Sequence, residues 1–249
     1  MPAWLENPKI SLGDALGRNV MNVALILALS LVVSGIQSPR ESVKRDFPVA
    51  LLVPVITGAL LLDGILSRFD GLLMLSVFFT WLIATIIEAR KQRNAAEEVL
   101  GEQRGWRAIF LCIIGLTFLV AAGNLIVAGA RGVAISFGID EFIIGATMVA
   151  VGTSVPELAT TIIARLRGHS EVSLGTILGS NIFNGLLIVA VAAVIYPISV
   201  SWRGVAVALG FGLAAVVFTL PTRSGFIKRR RGVLLLIIYA FYLATILQR

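Results

Sequence analysis

Charge-free apolar runs alternate with short polar breaks along almost the whole chain. Residues 19–39, 47–62, 71–87, 108–130, 172–202, 204–222 and 232–248 contain no Asp, Glu, Lys or Arg, and residues 142–164 contain Glu157 alone. A helix of about 20 apolar residues spans the hydrocarbon core of a bilayer. Eight runs therefore predict eight spans, A to H, over about residues 13–36, 48–66, 70–88, 107–131, 139–164, 172–195, 203–220 and 231–247. The longest polar segment, 89–106, carries Glu97, Glu98 and Glu102 among basic residues and reads as a charged, partly helical connector. It divides the chain into 1–88, with three spans, and 107–249, with five. The predicted class is all-α: a polytopic transmembrane helical bundle.

Composition agrees. Of 249 residues, 57% are hydrophobic and 14% charged, against about 25% charged in a soluble domain. A soluble fold, a disordered chain and a disulfide scaffold are poor fits. The net charge of +7 would suit nucleic acid, but its placement argues for topology. With both termini outside and eight alternating spans, 15 of the 21 basic residues fall inside and 6 outside, as the positive-inside rule requires. The run Lys228–Arg231 then reads as a cytoplasmic loop, the 89–106 connector is cytoplasmic, and no nucleic-acid partner is expected. The expected location is a plasma or inner membrane, as a multi-pass integral protein. Cys112, the sole cysteine, lies in a span and reads as packing. His169, the sole histidine, sits in a short basic loop and reads as solvated. No paired catalytic motif points to an enzyme.

The chain repeats itself. Residues 10–29 match 172–191 at ten of twenty positions, at a shift of 162. The matches include Gly13/Gly175, Gly17/Gly179, Asn19/Asn181 and Asn22/Asn184. Shared leucines are cheap in membrane helices; glycines and asparagines in register are not. Phe69–Leu82 resembles Arg230–Leu243 more weakly, so spans A, B and C correspond to F, G and H. Span A runs outside to inside and F the reverse, so the repeats are inverted, an architecture of transporters with ion sites at the midplane. Spans D and E lack counterparts before span A, so two helices of the first repeat are expected to be missing.

Chemistry concentrates in spans E and F. In Gly152-Thr-Ser-Val-Pro-Glu157, Pro156 lacks an N–H and deprives the Gly152 carbonyl of its helical partner. Thr153 and Ser154 add hydroxyl oxygens, and Glu157 places a carboxylate near mid-membrane. An ionisable residue there costs ~3 kcal/mol on insertion scales and is by default a candidate cation or proton site. Hydroxyl, carbonyl and carboxylate oxygens suit hard cations. A proline kink with a hydrogen-bonded Glu is the bland alternative. In span F, Ser180 and Asn184 are four apart and share a helix face, as do Gly175 and Gly179, which permits close helix approach. Interhelical hydrogen bonding is the bland alternative there.

The segment Gly152-Thr-Ser-Val-Pro-Glu157 followed by Gly179-Ser-Asn-Ile-Phe-Asn184 resembles the second alpha-repeat of the sodium/calcium exchanger (cation/calcium antiporter) superfamily. The resemblance runs from about Gly115 to Pro197 and more loosely through spans G and H. Span A resembles the end of the first alpha-repeat. The resemblance implies ten helices in two inverted halves, and an exchanger moving Ca²⁺ against Na⁺ or H⁺ by alternating access. It implies Glu157 as the main Ca²⁺ ligand, with Thr153, Ser154, Ser180 and Asn184 lining the ion sites and Asn184 a further metal ligand. The carbonyls of Ala150 and Gly179 would complete the sites, and Asn22 would be the ligand from the first repeat. No resident cofactor is implied. The expected partners are the lipid bilayer, Ca²⁺ and monovalent cations.

Two departures qualify the expectation. The first repeat's own Gly-Thr-Ser-x-Pro-Glu segment is absent, so one Glu faces a divalent ion alone. Arg18 stands where the first repeat would carry the serine matching Ser180. A guanidinium there would repel a cation or block the site by pairing with Glu157. The favoured expectation is instead that span A is displaced or that Arg18 snorkels to the outer surface. Two functions follow: an antiporter, inactive or partial as a single chain and completed by another chain or protomer, or a transport-dead regulatory subunit of a complete exchanger.

Overall fold

The computed structural model describes residues 8–40, 42–100, 106–136, 147 and 149–248. The first half holds α1 (Pro8–Met21), a π-helical segment (Asn22–Leu27), α2 (Ala28–Val33), β1 (Ile36–Gln37), a second π-helical segment (Ser42–Asp46), α3 (Phe47–Leu60), β2 (Ile65–Leu66) and α4 (Arg68–Leu100). There follow α5 (Trp106–Ser136), α6 (Ala150–Thr153), α7 (Val155–Leu166), α8 (Ser170–Ile182), a π-helical segment (Phe183–Ile188) and α9 (Val189–Ile195). The chain closes with β3 (Ile198–Ser199), α10 (Trp202–Thr219), β4 (Phe226–Ile227) and α11 (Arg229–Leu247).

Four stretches among the described residues are long and apolar enough to cross a membrane: Leu12–Val33, Arg68–Lys91, Glu171–Ile195 and Arg229–Leu247. They fall on spans A, C, F and H. Spans B and G correspond to the shorter α3 and α10, span D to α5, and span E to the broken pair α6–α7. Residues 139–146 of span E and 101–105 of the connector lie outside the described residues. The first part of the connector is helical, in line with a partly helical segment: α4 continues through it to Leu100.

The buried share of the Leu12–Val33 and Glu171–Ile195 stretches is 72% and 61%, against 11% and 22% for the other two. The first pair therefore forms the centre of the bundle and the second pair its outer wall. Phe69, Phe79 and Ile83 on α4, with Ile237 and Phe241 on α11, are exposed along that wall. So extensive an apolar surface belongs against lipid or protein rather than water. Cys112 also lies exposed, on α5, rather than in the packing expected of it.

The repeat is built into the packing. β1 pairs antiparallel with β4 and β2 with β3, so each half lends one strand to each sheet. At the repeat shift β1 is the mate of β3 and β2 of β4; exchanging the halves reproduces the pairing. The same exchange relates the α9–α4 contact to the α11–α2 contact, while α3 packs on its own mate α10. Glycine makes the approach possible. A Cβ on Gly71 would sit 2.7 Å from the Ala190 carbonyl oxygen, and one on Gly232 would sit 2.8 Å from that of Ala28. The central helices carry matching π-helical segments at Asn22–Leu27 and Phe183–Ile188, and such local widenings recur at functional sites. Helices α5, α6 and α7 have no mates in the first half among the described residues.

Candidate functional site

Pro156 breaks span E as the sequence predicts. Thr153 ends α6, Ser154 sits between the helices at φ −93°, ψ 5°, and α7 begins at Val155 with Pro156 in its first turn. The Ser154 N–H folds back onto the Ala150 carbonyl at 3.1 Å. The new start places Glu157 in the first turn of α7, where the positive end of the helix dipole favours a carboxylate. The break therefore positions the acid.

Glu157 faces the central helix α1. Its Oε1 accepts hydrogen bonds from Arg18 Nη2 at 2.9 Å and from Ser180 Oγ at 2.7 Å. The favoured expectation for Arg18 is thereby corrected. The arginine neither snorkels outward nor follows a displaced helix; its side chain is 14% exposed and that of Glu157 12%. The physical reason is the expense of leaving either charge unpaired in a low-dielectric interior, together with the packing of α1 against α6.

A second carboxylate, which the sequence reading passed over, completes the cluster. Asp14 lies one helical turn before Arg18, with Oδ2 3.8 Å from Arg18 Nη1. Its Oδ1 accepts the Thr153 hydroxyl at 2.9 Å. Thr153 also contacts the Val149 carbonyl at 2.8 Å. Asp14 stands outside the charge-free run 19–39, where a lone acid draws no notice. A signal was present: it is four residues from Arg18 and occupies the place of Thr176 in the repeat. Asp14, Arg18 and Glu157 carry formal charges of −1, +1 and −1, which sum to −1.

Four asparagines join the central helices behind the cluster. Asn19 Nδ2 donates to the Asn181 carbonyl at 3.1 Å and Asn181 Nδ2 to the Asn19 carbonyl at 3.0 Å. Asn22 Nδ2 donates to Asn181 Oδ1 at 3.1 Å, and its mate Asn184 donates to Asn19 Oδ1 at 3.3 Å. Asn22 and Asn184 also approach Ser180 Oγ, at 3.4 and 3.5 Å. The Oδ1 atoms of both are buried without a hydrogen-bond partner among the described residues, as is Ser154 Oγ.

Of the sequence-derived site residues, the structure brings Glu157, Ser180, Asn184 and Asn22 into one hydrogen-bonded group. Thr153 joins it through Asp14. Ser154 is buried beside the break. The Ala150 and Gly179 carbonyls are already engaged by backbone N–H groups of Ser154 and Phe183. An open cleft of about 450 Å³ leads to Arg18, Thr153, Glu157 and Ser180, with Asn124 of α5, Thr160 and Thr176 on its wall. Among the described residues, no three His, Cys, Asp or Glu side chains gather as a ready metal cage. His169 is exposed in its loop, and among the described residues its side chain reaches Glu171 alone, at 3.4 Å, as expected of a solvated residue.

The model of the sodium/calcium exchanger protein family matches residues 3–87 and 107–248. The chain is 34% identical over 203 residues to the putative antiporter CaxA of Alkalimonas amylolytica, covering 78% of this chain and 63% of that protein. It is 35% identical over 201 residues to the inner membrane protein YrbG of Escherichia coli, covering 77% and 62%. The chain thus matches less than two thirds of the length of these relatives. Among solved structures, the sodium-calcium exchanger NCX_Mj soaked with Na⁺ and Sr²⁺ superposes with a TM-score of 0.74 at 30% identity. That match covers 95% of this chain and 77% of that one.

Proposed function

Because the chain belongs to the sodium/calcium exchanger family, a family of integral membrane transporters and not of enzymes, we propose that it is a membrane cation antiporter. The ions cross at the Glu157 cluster, Ca²⁺ in exchange for Na⁺ or H⁺, by alternating access of two inverted halves. The observation that carries this reading is Glu157 itself. It is an acid at a helix break, at the foot of a cleft, hydrogen-bonded to Ser180 and through Ser180 linked to two asparagines whose buried Oδ1 atoms have no partner among the described residues. The ions are cargo, and no resident cofactor is needed. In this reading all eight helical stretches span a plasma or inner membrane, 1–88 and 107–249 are the two repeats, and the 89–106 connector is cytoplasmic.

The reading includes a deficit. Gly13 and Gly17 are buried on α1, the helix against which α6 packs. Their mates Gly175 and Gly179 on α8 are less covered, and a Cβ on either meets nothing within 4 Å among the described residues. The face of α8 that corresponds to the α6-covered face of α1 is the place for a second broken helix with its own carboxylate. A further segment, another chain or another protomer would supply it. Without that helix, and with Arg18 on Glu157, Ca²⁺ antiport by this single chain is weak or absent.

The Arg18–Glu157 pair favours a second reading, a transport-dead subunit that binds and regulates a complete exchanger. Uptake of radiolabelled Ca²⁺ into proteoliposomes under an imposed Na⁺ or H⁺ gradient separates the two. The antiporter reading expects slow uptake that Glu157→Gln abolishes and that rises when the missing helices are co-expressed. No uptake under any of these conditions, with altered uptake by a co-reconstituted complete exchanger, supports the subunit reading. Uptake untouched by Glu157→Gln removes Glu157 from the ion path.

A further inference from the structure

We propose that Asp14 and Arg18 set the valence of the ion this chain's own site accepts: one monovalent cation, bound beside the arginine, in preference to a divalent one. The proposal rests on reading the Glu157 cleft as a cation site and adds to it the class of ion.

At the repeat shift, Asp14 stands against Thr176 and Arg18 against Ser180, so two hydroxyl positions of one helix face have become an acid and a base. Arg18 cancels Glu157 at 2.9 Å, and Asp14 restores the negative charge that Arg18 removes. The three groups are at most 15% exposed and sum to −1. One Na⁺ or K⁺ brings the cluster to neutrality; one divalent ion leaves +1 in a low-dielectric site, where an uncompensated charge is expensive.

The remaining ligands fit the same class. Asn22 and Asn184 are 0% and 1% exposed, and their Oδ1 atoms, unpartnered among the described residues, are neutral oxygens. Neutral oxygens suffice to complete a monovalent shell, whereas tight divalent sites gain affinity from a larger ligand charge. Geometry offers a route for occupancy. An ion that takes Glu157 displaces the guanidinium, and Asp14, already 3.8 Å from Arg18 Nη1, receives it. Arg18 is then a tethered cation that moves between two carboxylates of the same cluster.

The test is equilibrium binding of radiolabelled Na⁺ and Ca²⁺ to the purified full chain at constant ionic strength, with monodispersity checked for every variant. Wild type binds Na⁺ more tightly than Ca²⁺. Arg18→Ser, with charge −2, gains about tenfold or more in Ca²⁺ affinity, as one added charge a few ångströms away predicts. Asp14→Thr, with charge 0, loses Na⁺ affinity by about the same factor. The double variant returns to −1 and recovers the Na⁺ preference. Arg18→Lys keeps the charge and the preference, and Arg18→Gln, closer in shape than Ser, repeats the Ca²⁺ gain if Arg18→Ser misfolds. A folded Arg18→Ser or Arg18→Gln without Ca²⁺ gain, or Asp14→Thr binding Na⁺ like wild type, overturns the proposal. Glu157→Gln distinguishes this from a wider failure. If it leaves both ions unaffected, the cleft is not the cation site at all; if it removes Na⁺ binding while the Arg18 variants gain nothing, only the valence assignment falls.

Discussion

Asn19 and Asn181 clasp each other across the centre of the bundle, each side-chain amide donating to the other's backbone carbonyl, at 3.1 and 3.0 Å. They are 162 residues apart, which is the repeat shift, so the exchange is a hydrogen-bonded statement of the internal symmetry. Both residues are buried, and a buried polar group deprived of its partner loses about 1–3 kcal/mol. Asn19→Ala and Asn181→Ala are each expected to destabilise the chain by about that amount. Thermal unfolding in detergent measures this, and an unchanged stability in either variant would contradict the reciprocal pairing.

The helix crossings at Gly71 and Gly232 tolerate no side chain. A Cβ at either position would approach a carbonyl oxygen to 2.7 or 2.8 Å, so the backbones must separate. Gly71→Ala and Gly232→Ala should each lower stability by about 1–3 kcal/mol. At Gly175 and Gly179 the added methyl meets nothing within 4 Å. Alanine there should be neutral or stabilising by up to ~1 kcal/mol in the isolated chain, from helix propensity. Equal effects at the two pairs of sites would mean that the close contacts are not what requires glycine.

Arg18 and Glu157 should be energetically coupled. Removing one partner leaves the other charge in a site where the side chains are only 14% and 12% exposed. A double-mutant cycle over Arg18→Ser and Glu157→Gln is expected to give a coupling energy within about 0.5–3 kcal/mol. Asp14 and Ser180 temper the loss, since Asp14 can take the arginine and Ser180 remains as a donor to position 157. A coupling indistinguishable from zero would place the two residues apart.

His169 should be silent. Its side chain is 65% exposed and touches only Glu171, so His169→Ala is predicted to change stability by less than about 0.5 kcal/mol and to leave ion binding as it is. A change in binding would give the loop a role that its geometry does not support.

The sequence carried the fold far because its signals are local and strong. Charge-free runs located the helices, since a bilayer admits few charges over about 20 residues. Pro156 located the break, since a missing N–H is a property of one residue wherever it stands. Gly13/Gly175 and Asn19/Asn181 marked the repeat, and the paired strands β1–β4 and β2–β3 gave it physical form. The partly helical connector was legible too, since charged residues do not interrupt a helix by themselves, and α4 runs on to Leu100.

By itself, then, the sequence determined a helical membrane protein with a repeated core and a Glu157 placed by a helix break, along with the hydroxyl and amide residues eligible to join it. Tertiary structure decided which charges meet. Arg18 had two plausible environments, outer surface or site, and nothing local distinguished them; the packing of α1 against α6 and α8 put it on Glu157. Asp14 carried no local mark of a role, and the fold set it between Thr153 and Arg18. The reason is that span formation depends on the transfer free energy of each segment, which is written in its own residues. The charge of a site depends on distances of a few ångströms between residues some 140 apart in the chain, and those are fixed only when the helices pack.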